Sequence, residues 1–379
     1  MRFIIFFIFL ASYAFGISVT DMRGKTVQIP SNLNRIATIS DGFVESVMTH
    51  LGEIRRVSAI ASWSLKRDYR YKIQGINEEL EFTGLNTMRS MHPWLDALPC
   101  FNSPQGNIIN YETLMQSAPQ LIIVRVGDCT IGGADKAALE KTLSILEASK
   151  IPLVVLYSPT YTKNLATIKD EMRIIGEIFG KSEQTLKLYE YLVGIENLIK
   201  SRTQTATNQP KMLYLGLSLA AKKNGASGIT YGIDTPESLL LTTTINAQNA
   251  FNLAKGSRVM ISAEQIYALE PDVILLPTYN GYHPTFELYE NESYANLREL
   301  KAVRQKRVYS LPWTPMNCSR RLEYPLELLI IAKAAHPDKF ADINIGNFAL
   351  EFYQKLYGVD IEAAKMLRSA QILDWTEQF

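Results

Sequence analysis

Two stretches of the chain are similar in sequence, and we call them the echoed units. Residues 110–124, NYETLMQSAPQLIIV, and residues 262–276, SAEQIYALEPDVILL, align without a gap at a constant offset of 152 positions. Each reads as a short helix that stops at a proline, Pro119 or Pro271, and continues into an aliphatic run typical of a buried strand. One copy in each half is too few for a solenoid, so the echo predicts two similar α/β lobes.

The length and charge of the chain agree with this interpretation. A chain of 379 residues exceeds what one hydrophobic core usually supports. Lys and Arg number 39 against 38 Asp and Glu, which gives a formal net charge of +1. This balance offers no global electrostatic reason to bind nucleic acid or an anionic membrane, so a charged ligand must be met by a local patch.

The first 16 residues have the anatomy of a signal peptide. Arg2 precedes an apolar run over residues 3–10, and small residues follow. The run is far shorter than the ~20 residues that a membrane-spanning helix requires. We expect cleavage near Ala14 or Gly16, and the absence of a cysteine there leaves no thiol for lipid attachment. The sequence therefore predicts a soluble periplasmic protein.

The order of predicted elements supports parallel sheets. A hairpin around Gly24 precedes strands at Arg35–Ile39 and Val57–Ala61, and a helix at Phe43–Leu51 separates these strands. Apolar residues at helical spacing then predict helices over 164–179 and 182–201, with Leu186, Tyr189, Leu192, Val193 and Ile199 on one face of the second helix. We predict a signal peptide at 1–16, a first lobe at 17–158, a helical spine and connection at 159–209, and a second lobe at 210–379.

Four parts of the chain together resemble the class III periplasmic binding proteins of ABC importers, which carry ferric siderophores, haem, cobalamin and some other metal species. They are residues 19–27 (VTDMRGKTV), the two echoed units, residues 300–303 (LKAV) leading to 307–312 (RVYSLP), and residues 332–340 (AKAAHPDKF). The resemblance implies an α/β fold of two Rossmann-like lobes with central parallel or mixed sheets, joined by a long rigid helix. It also implies a monomer that docks on a permease through one glutamate on each lobe, here Glu112 and Glu264, while a separate ATPase supplies the energy.

Candidate ligand-binding residues lie in loops that follow the predicted strands, where open α/β sheets bind their ligands. They are basic and aromatic side chains, which suit an anionic metal complex because rings pack on a chelator and guanidinium groups donate to its oxygens. A ferric siderophore-type complex fits this composition best. The candidates are Trp63, Arg67, His92, Trp94, Arg125, Tyr231, Tyr282, His283, Trp313, Arg320 and Arg321.

Other cargoes remain open at this point. A neutral imidazole pair, His92 and His283 from opposite lobes, would suit iron left unsaturated by its chelator, or a nickel or cobalt complex. Arginine and tyrosine alone would suit a molybdate-type oxyanion. No intrinsic cofactor is expected, since the metal would belong to the cargo.

An enzymatic function is the alternative of another class. Residues 216–220, GLSLA, nearly match the nucleophile-elbow motif of a secreted α/β hydrolase around Ser218. However, Ala220 occupies the position where the sharp turn of this motif needs a glycine. The sequence therefore favours a binding protein that is not an enzyme. The three cysteines lack the spacing of a zinc site, and Cys100 could pair with Cys129 in an oxidising compartment.

Overall fold

The computed structural model describes residues 15–62, 65, 69–74, 78–101, 109–127, 130–132, 135–223, 225–256, 258–278, 281–313 and 321–379. Its strands are β1 Phe15–Thr20, β2 Thr26–Pro30, β3 Ile36–Ile39, β4 Val57–Ile60, β5 Tyr69–Gln74, β6 Glu79–Gly84, β7 Leu121–Val126, β8 Leu153–Tyr157, β9 Lys211–Tyr214, β10 Gly216–Leu217, β11 Gly228–Thr230, β12 Gln248–Asn249, β13 Val259–Ile261, β14 Val273–Leu276 and β15 Val308–Ser310.

Its α-helices are α1 Phe43–His50, α2 Thr87–Met91, α3 Tyr111–Gln116, α4 Lys136–Ala148, α5 Pro159–Thr162, α6 Thr167–Ile178, α7 Ser182–Thr203, α8 Leu219–Lys223, α9 Pro236–Thr243, α10 Ala263–Leu269, α11 Phe286–Glu290, α12 Lys301–Arg304, α13 Tyr324–Ala335, α14 Ile345–Tyr357 and α15 Ile361–Ala370. Short 3-10 helices lie at Ile54–Arg56, Pro93–Ala97, Glu292–Leu297, Pro337–Phe340 and Asp374–Gln378.

Two parallel sheets of four strands each confirm the predicted α/β fold. The first sheet has the order β4-β3-β7-β8 and the second has the order β12-β9-β14-β15. In both sheets the first strand along the chain lies between the second and the third, so the two topologies are the same. The central strands β7 and β14 are buried throughout, which explains why their sequences are nearly continuous aliphatic runs.

The echoed units adopt the same backbone geometry. In each unit a short helix, α3 or α10, is capped at its first turn by a side-chain oxygen, from Asn110 or Ser262. Each helix is followed by a residue in the left-handed region, Ala118 at φ 42° and Glu270 at φ 46°, which occupy equivalent positions before the proline. The likeness therefore extends from the sequence to the dihedral angles.

The N-terminal hairpin also agrees with the sequence. Strands β1 and β2 pair antiparallel, and Gly24 takes a positive φ of 77° at the turn that a residue with a Cβ rarely adopts. The amide of Met22 donates to the carbonyl of Val155 on β8 at 3.1 Å, which ties the hairpin to the first sheet.

The predicted spine is the pair of helices α6 and α7, which pack against each other, and α7 also packs on α13. The 22 residues of α7 span roughly 33 Å at the usual helical rise. The predicted apolar face is correct at Leu192 and Ile199, which are buried, and wrong at Leu186, which is 47% exposed. The buried stripe also includes Leu188 and Ile195, which were not predicted.

The C-terminal helices return to the first lobe in space. Helix α14 packs against α1, and α15 packs against α2 and β6. The amide of Leu85 donates to the carbonyl of Ala370 at 3.0 Å, and Gln371 donates back to the carbonyl of Leu85 at 2.8 Å. Residues after the second sheet therefore join the two lobes, together with the spine. Among the described residues, no helix has both the length and the apolar character to cross a membrane.

Candidate ligand cleft

We place the candidate cleft at the loops that follow the carboxyl ends of the strands in both sheets, because ligands bind there in open α/β folds. From the first lobe, the loop after β3 contributes Ser40, Asp41 and Gly42, which precede α1. From the second lobe, the segments after β14 and β15 lead to His283 and Trp313, and the chain then reaches α13 through Arg321. Charged and aromatic groups of these loops meet at the seam between the lobes.

A buried charge cluster lies beneath the first-lobe side of the cleft. Arg125, Asp41 and Glu171 have no exposed surface. The Arg125 guanidinium donates to Glu171 through two bonds of 2.6 and 2.9 Å and to the two oxygens of Asp41 at 3.1 and 3.2 Å. The guanidinium carbon also lies 4.0 Å from the centre of the Phe43 ring, in cation–π geometry.

The pKa values of the two acids, Glu171 and Asp41, are shifted in opposite directions, because burial dominates for one and nearby positive charge for the other. Burial raises the pKa of Glu171 to about 7 in spite of its bonds to Arg125. Burial also opposes ionisation of Asp41, but the charges of Arg125 and Arg321 hold the pKa of this carboxyl below its ordinary value. Arg125 stays cationic, because its two carboxylate partners outweigh the cost of burial and raise its pKa.

Arg125 was predicted to bind ligand, and its surroundings argue against direct contact. Its strand is the buried centre of the sheet, and its guanidinium is held by two acids and an aromatic ring inside the first lobe. The sequence could not reveal this, because Asp41 and Glu171 come from distant segments. Both acids are functional candidates that sequence reasoning missed.

Arg321, also predicted to bind ligand, differs from Arg125 because its contact crosses the seam between the lobes. Its Nε lies 3.5 Å from Oδ2 of Asp41, so the ion pair joins a second-lobe loop to a first-lobe loop. The side chain is 8% exposed, and Nε has no hydrogen-bond partner among the described residues. A buried guanidinium N–H that makes no hydrogen bond is costly, so Nε of Arg321 is a candidate donor to a bound anion.

Aromatic side chains close the seam at a second place. Tyr282 and Trp313, both predicted to bind ligand, are 4% and 5% exposed. Tyr282 packs against Phe82 of β6 with ring centres 5.1 Å apart, and Trp313 packs against Tyr69 of β5 at 4.5 Å. Burial raises the pKa of Tyr282 to about 12, so its hydroxyl is neutral at physiological pH. These two rings pack against β5 and β6, which the sequence analysis did not predict.

The two histidines of the predicted metal pair are engaged separately. His92 bonds to the hydroxyl of Thr49 at 3.0 Å, next to Trp94, and Thr49 lies at the end of α1 away from the strand ends. His283 bonds through Nδ1 to Glu287 at 2.7 Å in the second lobe. Burial and the charge of Arg55 lower the pKa of His92, so this ring is neutral at pH 7. These contacts do not support a shared metal site, and no group of three or more His, Cys, Asp or Glu arranged for a metal occurs among the described residues.

Trp94 and Tyr231, also predicted to bind ligand, pack against other residues of the hydrophobic core. Trp94 packs on the first-lobe core beneath the guanidinium of Arg55, whose carbon is 4.5 Å from the ring centre. Tyr231 is 4% exposed and meets Tyr214 edge to face at 5.2 Å. Ser218, the nucleophile of the hydrolase alternative, is buried and accepts a hydrogen bond from the amide of Ala221 at 3.1 Å.

Some predicted residues lie outside the described part of the chain. They are Trp63, Arg67 and Arg320 of the ligand set, and Cys129 of the predicted disulfide with Cys100. The predicted signal peptide also lies there, apart from its last two residues. These assignments stay predictions.

The two predicted docking glutamates occupy matching and accessible positions. Glu112 and Glu264 are exposed in the first turns of α3 and α10. One turn further along each helix, an apolar side chain is exposed at the equivalent position, Met115 at 49% and Tyr267 at 37%. The lobes therefore present the same pair of side-chain types, an acid followed by a large apolar group.

Comparison with known proteins agrees with this architecture. The family model described as "Periplasmic binding protein" matches residues 92–314, more than half of the chain. The chain therefore belongs to the periplasmic binding protein family, whose members are substrate-binding proteins of ABC importers.

Individual relatives are distant but cover almost the whole chain. The molybdate-binding protein MolA of Haemophilus influenzae is 22% identical over 354 residues, which are 89% of this chain and 90% of MolA. The crystal structure of MolA bound to molybdate superposes with a TM-score of 0.66 at 19% identity, over 91% of this chain and 99% of that one.

Two further crystal structures show the same fold. A periplasmic solute binding protein from Veillonella parvula has a TM-score of 0.73 at 22% identity and covers 95% of this chain and 98% of its own. The CeuE protein of Helicobacter pylori, in a complex with nickel and histidine, has a TM-score of 0.63 at 18% identity and covers 92% and 98%. At such identities the likeness establishes the fold alone.

Proposed function

We propose that this chain is the periplasmic substrate-binding component of an ABC importer and that it holds an anionic metal species between its lobes. The observation that carries the proposal is Arg321, a nearly buried cation at the seam of two lobes of the same topology, with an N–H that no described group accepts. The protein binds and delivers its cargo without transforming it.

A compact oxyanion of the molybdate class fits this cleft better than a large chelate. Aromatic rings that would stack on a chelator, such as Tyr282 and Trp313, are packed instead against Tyr69 and Phe82. A guanidinium group supplies the planar, bidentate donors that oxyanion oxygens accept. The likeness to a molybdate-binding protein over most of the chain is a second support.

Calorimetric titration of the cargo-free protein tests the cargo. Molybdate and tungstate should bind, and sulfate, a ferric siderophore, haem, cobalamin and nickel–histidine form the comparison panel. Binding of a ferric siderophore or of nickel–histidine in place of molybdate would overturn the oxyanion assignment and favour the corresponding alternative. If no member of the panel binds, the importer cargo is of another class.

A matched pair of arginine variants tests the site. Arg321→Gln should weaken molybdate binding by about 1–3 kcal/mol, since a charge-assisted bond to a buried anion is lost. Arg304→Gln removes an exposed arginine of the same lobe and should leave the affinity unchanged. Equal affinities for both variants would remove Arg321 from the site.

The partner of the loaded protein is a permease with its own ATPase, and docking uses Glu112 and Glu264. Their equivalent places on α3 and α10 suit two-fold contact with a pore of two similar halves. Glu112→Ala combined with Glu264→Ala should abolish uptake while cargo affinity is kept. Normal transport by the double variant would refute the docking role.

A further inference from the structure

The β5–β6 hairpin is the feature of the cleft that the binding function does not yet explain. It follows β4 of the first lobe, and residues alternate between its two faces. The inner face is half-buried and apolar, with Tyr69, Tyr71, Ile73, Leu80 and Phe82. The outer face is exposed and polar, with Arg70, Lys72, Gln74, Glu79, Glu81 and Thr83.

The inner face packs on the second lobe. Phe82 lies against Tyr282, and also against Phe286 of α11 with ring centres 6.5 Å apart. The indole N–H of Trp313 donates to the hydroxyl of Tyr71 at 3.1 Å. A side-chain amide of Asn291 donates to the carbonyl of Gln74 at 3.4 Å, so contacts extend along the hairpin.

Two glycines let the surfaces approach closely. A Cβ at Gly84, the last residue of β6, would overlap the ring of Trp313, and a Cβ at Gly281 would lie 2.9 Å from the ring of Tyr71. The residues that receive the hairpin, Gly281, Tyr282 and Trp313, follow β14 and β15 on the cleft side of the second sheet. The hairpin therefore extends from the first lobe to the segments that follow the strands of the second sheet.

We propose that this hairpin is a clasp across the cleft mouth and that its aromatic inner face limits the size of the cargo. This inference rests on the binding function proposed above. With the clasp seated, the cleft admits only compact species, because Phe82 and Tyr71 occupy the space beside Tyr282 and Trp313 that a bulky chelate would fill. Exchange of cargo requires the clasp to separate from the second lobe.

The test compares neighbouring residues on opposite faces of β6. Phe82→Ala removes the ring that contacts the second lobe, and Glu81→Ala truncates an exposed side chain of the outer face. On the cargo-free protein, amide hydrogen exchange at residues 79–84 and 281–290 should be at least about tenfold faster in Phe82→Ala than in the wild type. The reason is that local opening of the variant does not have to break the aromatic contacts of Phe82. Glu81→Ala should match the wild type. Tyr71→Phe, which removes only the hydroxyl that Trp313 reaches, gives a milder acceleration in a protein whose packing is kept.

Titration with a ferric tris-catecholate complex and with molybdate then tests the size limit. Phe82→Ala should bind the bulky complex at least about tenfold more tightly than the wild type does, because the opened mouth admits it. The proposal would be overturned if amide exchange in Phe82→Ala were equal to that in Glu81→Ala. It would also be overturned if neither Phe82→Ala nor the wild type bound the bulky complex. Binding of molybdate by the wild type decides the oxyanion function separately, so the two failures are distinguishable.

Discussion

The two lobes share a sheet order and an echoed helix–proline–strand unit, yet they differ one residue beyond the echo. There the first lobe has Arg125 and the second has Pro277. The lobes also share the backbone hydrogen bond just before the strand. In the first lobe the amide of Gln120 donates to the carbonyl of Arg35, and in the second the amide of Asp272 donates to the carbonyl of Lys211, both at 2.8 Å. The echoed units therefore share a backbone geometry and its hydrogen bonds. The residues that follow them, near the carboxyl ends of the strands, differ between the lobes.

Removing the buried cation of the first lobe is expected to have the largest effect on stability. Arg125→Met should lower the free energy of unfolding by about 3–5 kcal/mol, because Asp41 and Glu171 lose their common partner in a buried environment. Lys301→Met, which breaks a partly exposed ion pair with Asp272 in the second lobe, should cost no more than about 1 kcal/mol. Denaturant titration measures both, and similar losses would contradict the buried role of Arg125.

The pH dependence of stability should also trace to the first lobe. Since burial raises the pKa of Glu171 to about 7, its ionisation in the folded state is penalised. Its contribution to stability is full below the unfolded pKa and falls as the pH rises through the folded value. Glu171→Gln should therefore become more stable relative to the wild type between pH 5 and pH 8, by at most about 3 kcal/mol. A difference that is constant over this range would show that the acid titrates normally.

The smallest effects should be equal in the two lobes. Asn110→Ala and Ser262→Ala each remove the side chain that caps the first turn of an echoed helix. Each should lower the unfolding free energy by about 1 kcal/mol. Melting temperatures measured side by side check this expectation, and a clear loss in only one variant would mean that the two caps are not equivalent.

The parts of the fold that follow from local sequence were predictable. The hairpin at Gly24, the spine helices and the echoed units depend on turn residues, helical spacing and proline stops that a single stretch of chain displays. The β5–β6 hairpin was also within reach, since residues 69–74 (YRYKIQ) and 79–84 (ELEFTG) alternate apolar and polar side chains.

The site was less predictable, because burial depends on distant partners. Arg125 and His92 have the residue types of ligand contacts, but Glu171 and Thr49 hold them elsewhere. Tyr282 and Trp313 are on the cleft side as predicted, yet their rings meet a hairpin rather than open space. A loop position can be inferred from strand order, whereas the direction and partner of its side chain cannot.

The central claim is that one cargo is held by both lobes at once. Amide hydrogen exchange with and without saturating molybdate tests it most directly, because peptides containing Asp41 report on the first lobe and peptides containing Arg321 on the second. Slower exchange in both sets of peptides is the result expected for an anion gripped at the seam. Protection of only one lobe, with affinity intact, would contradict it.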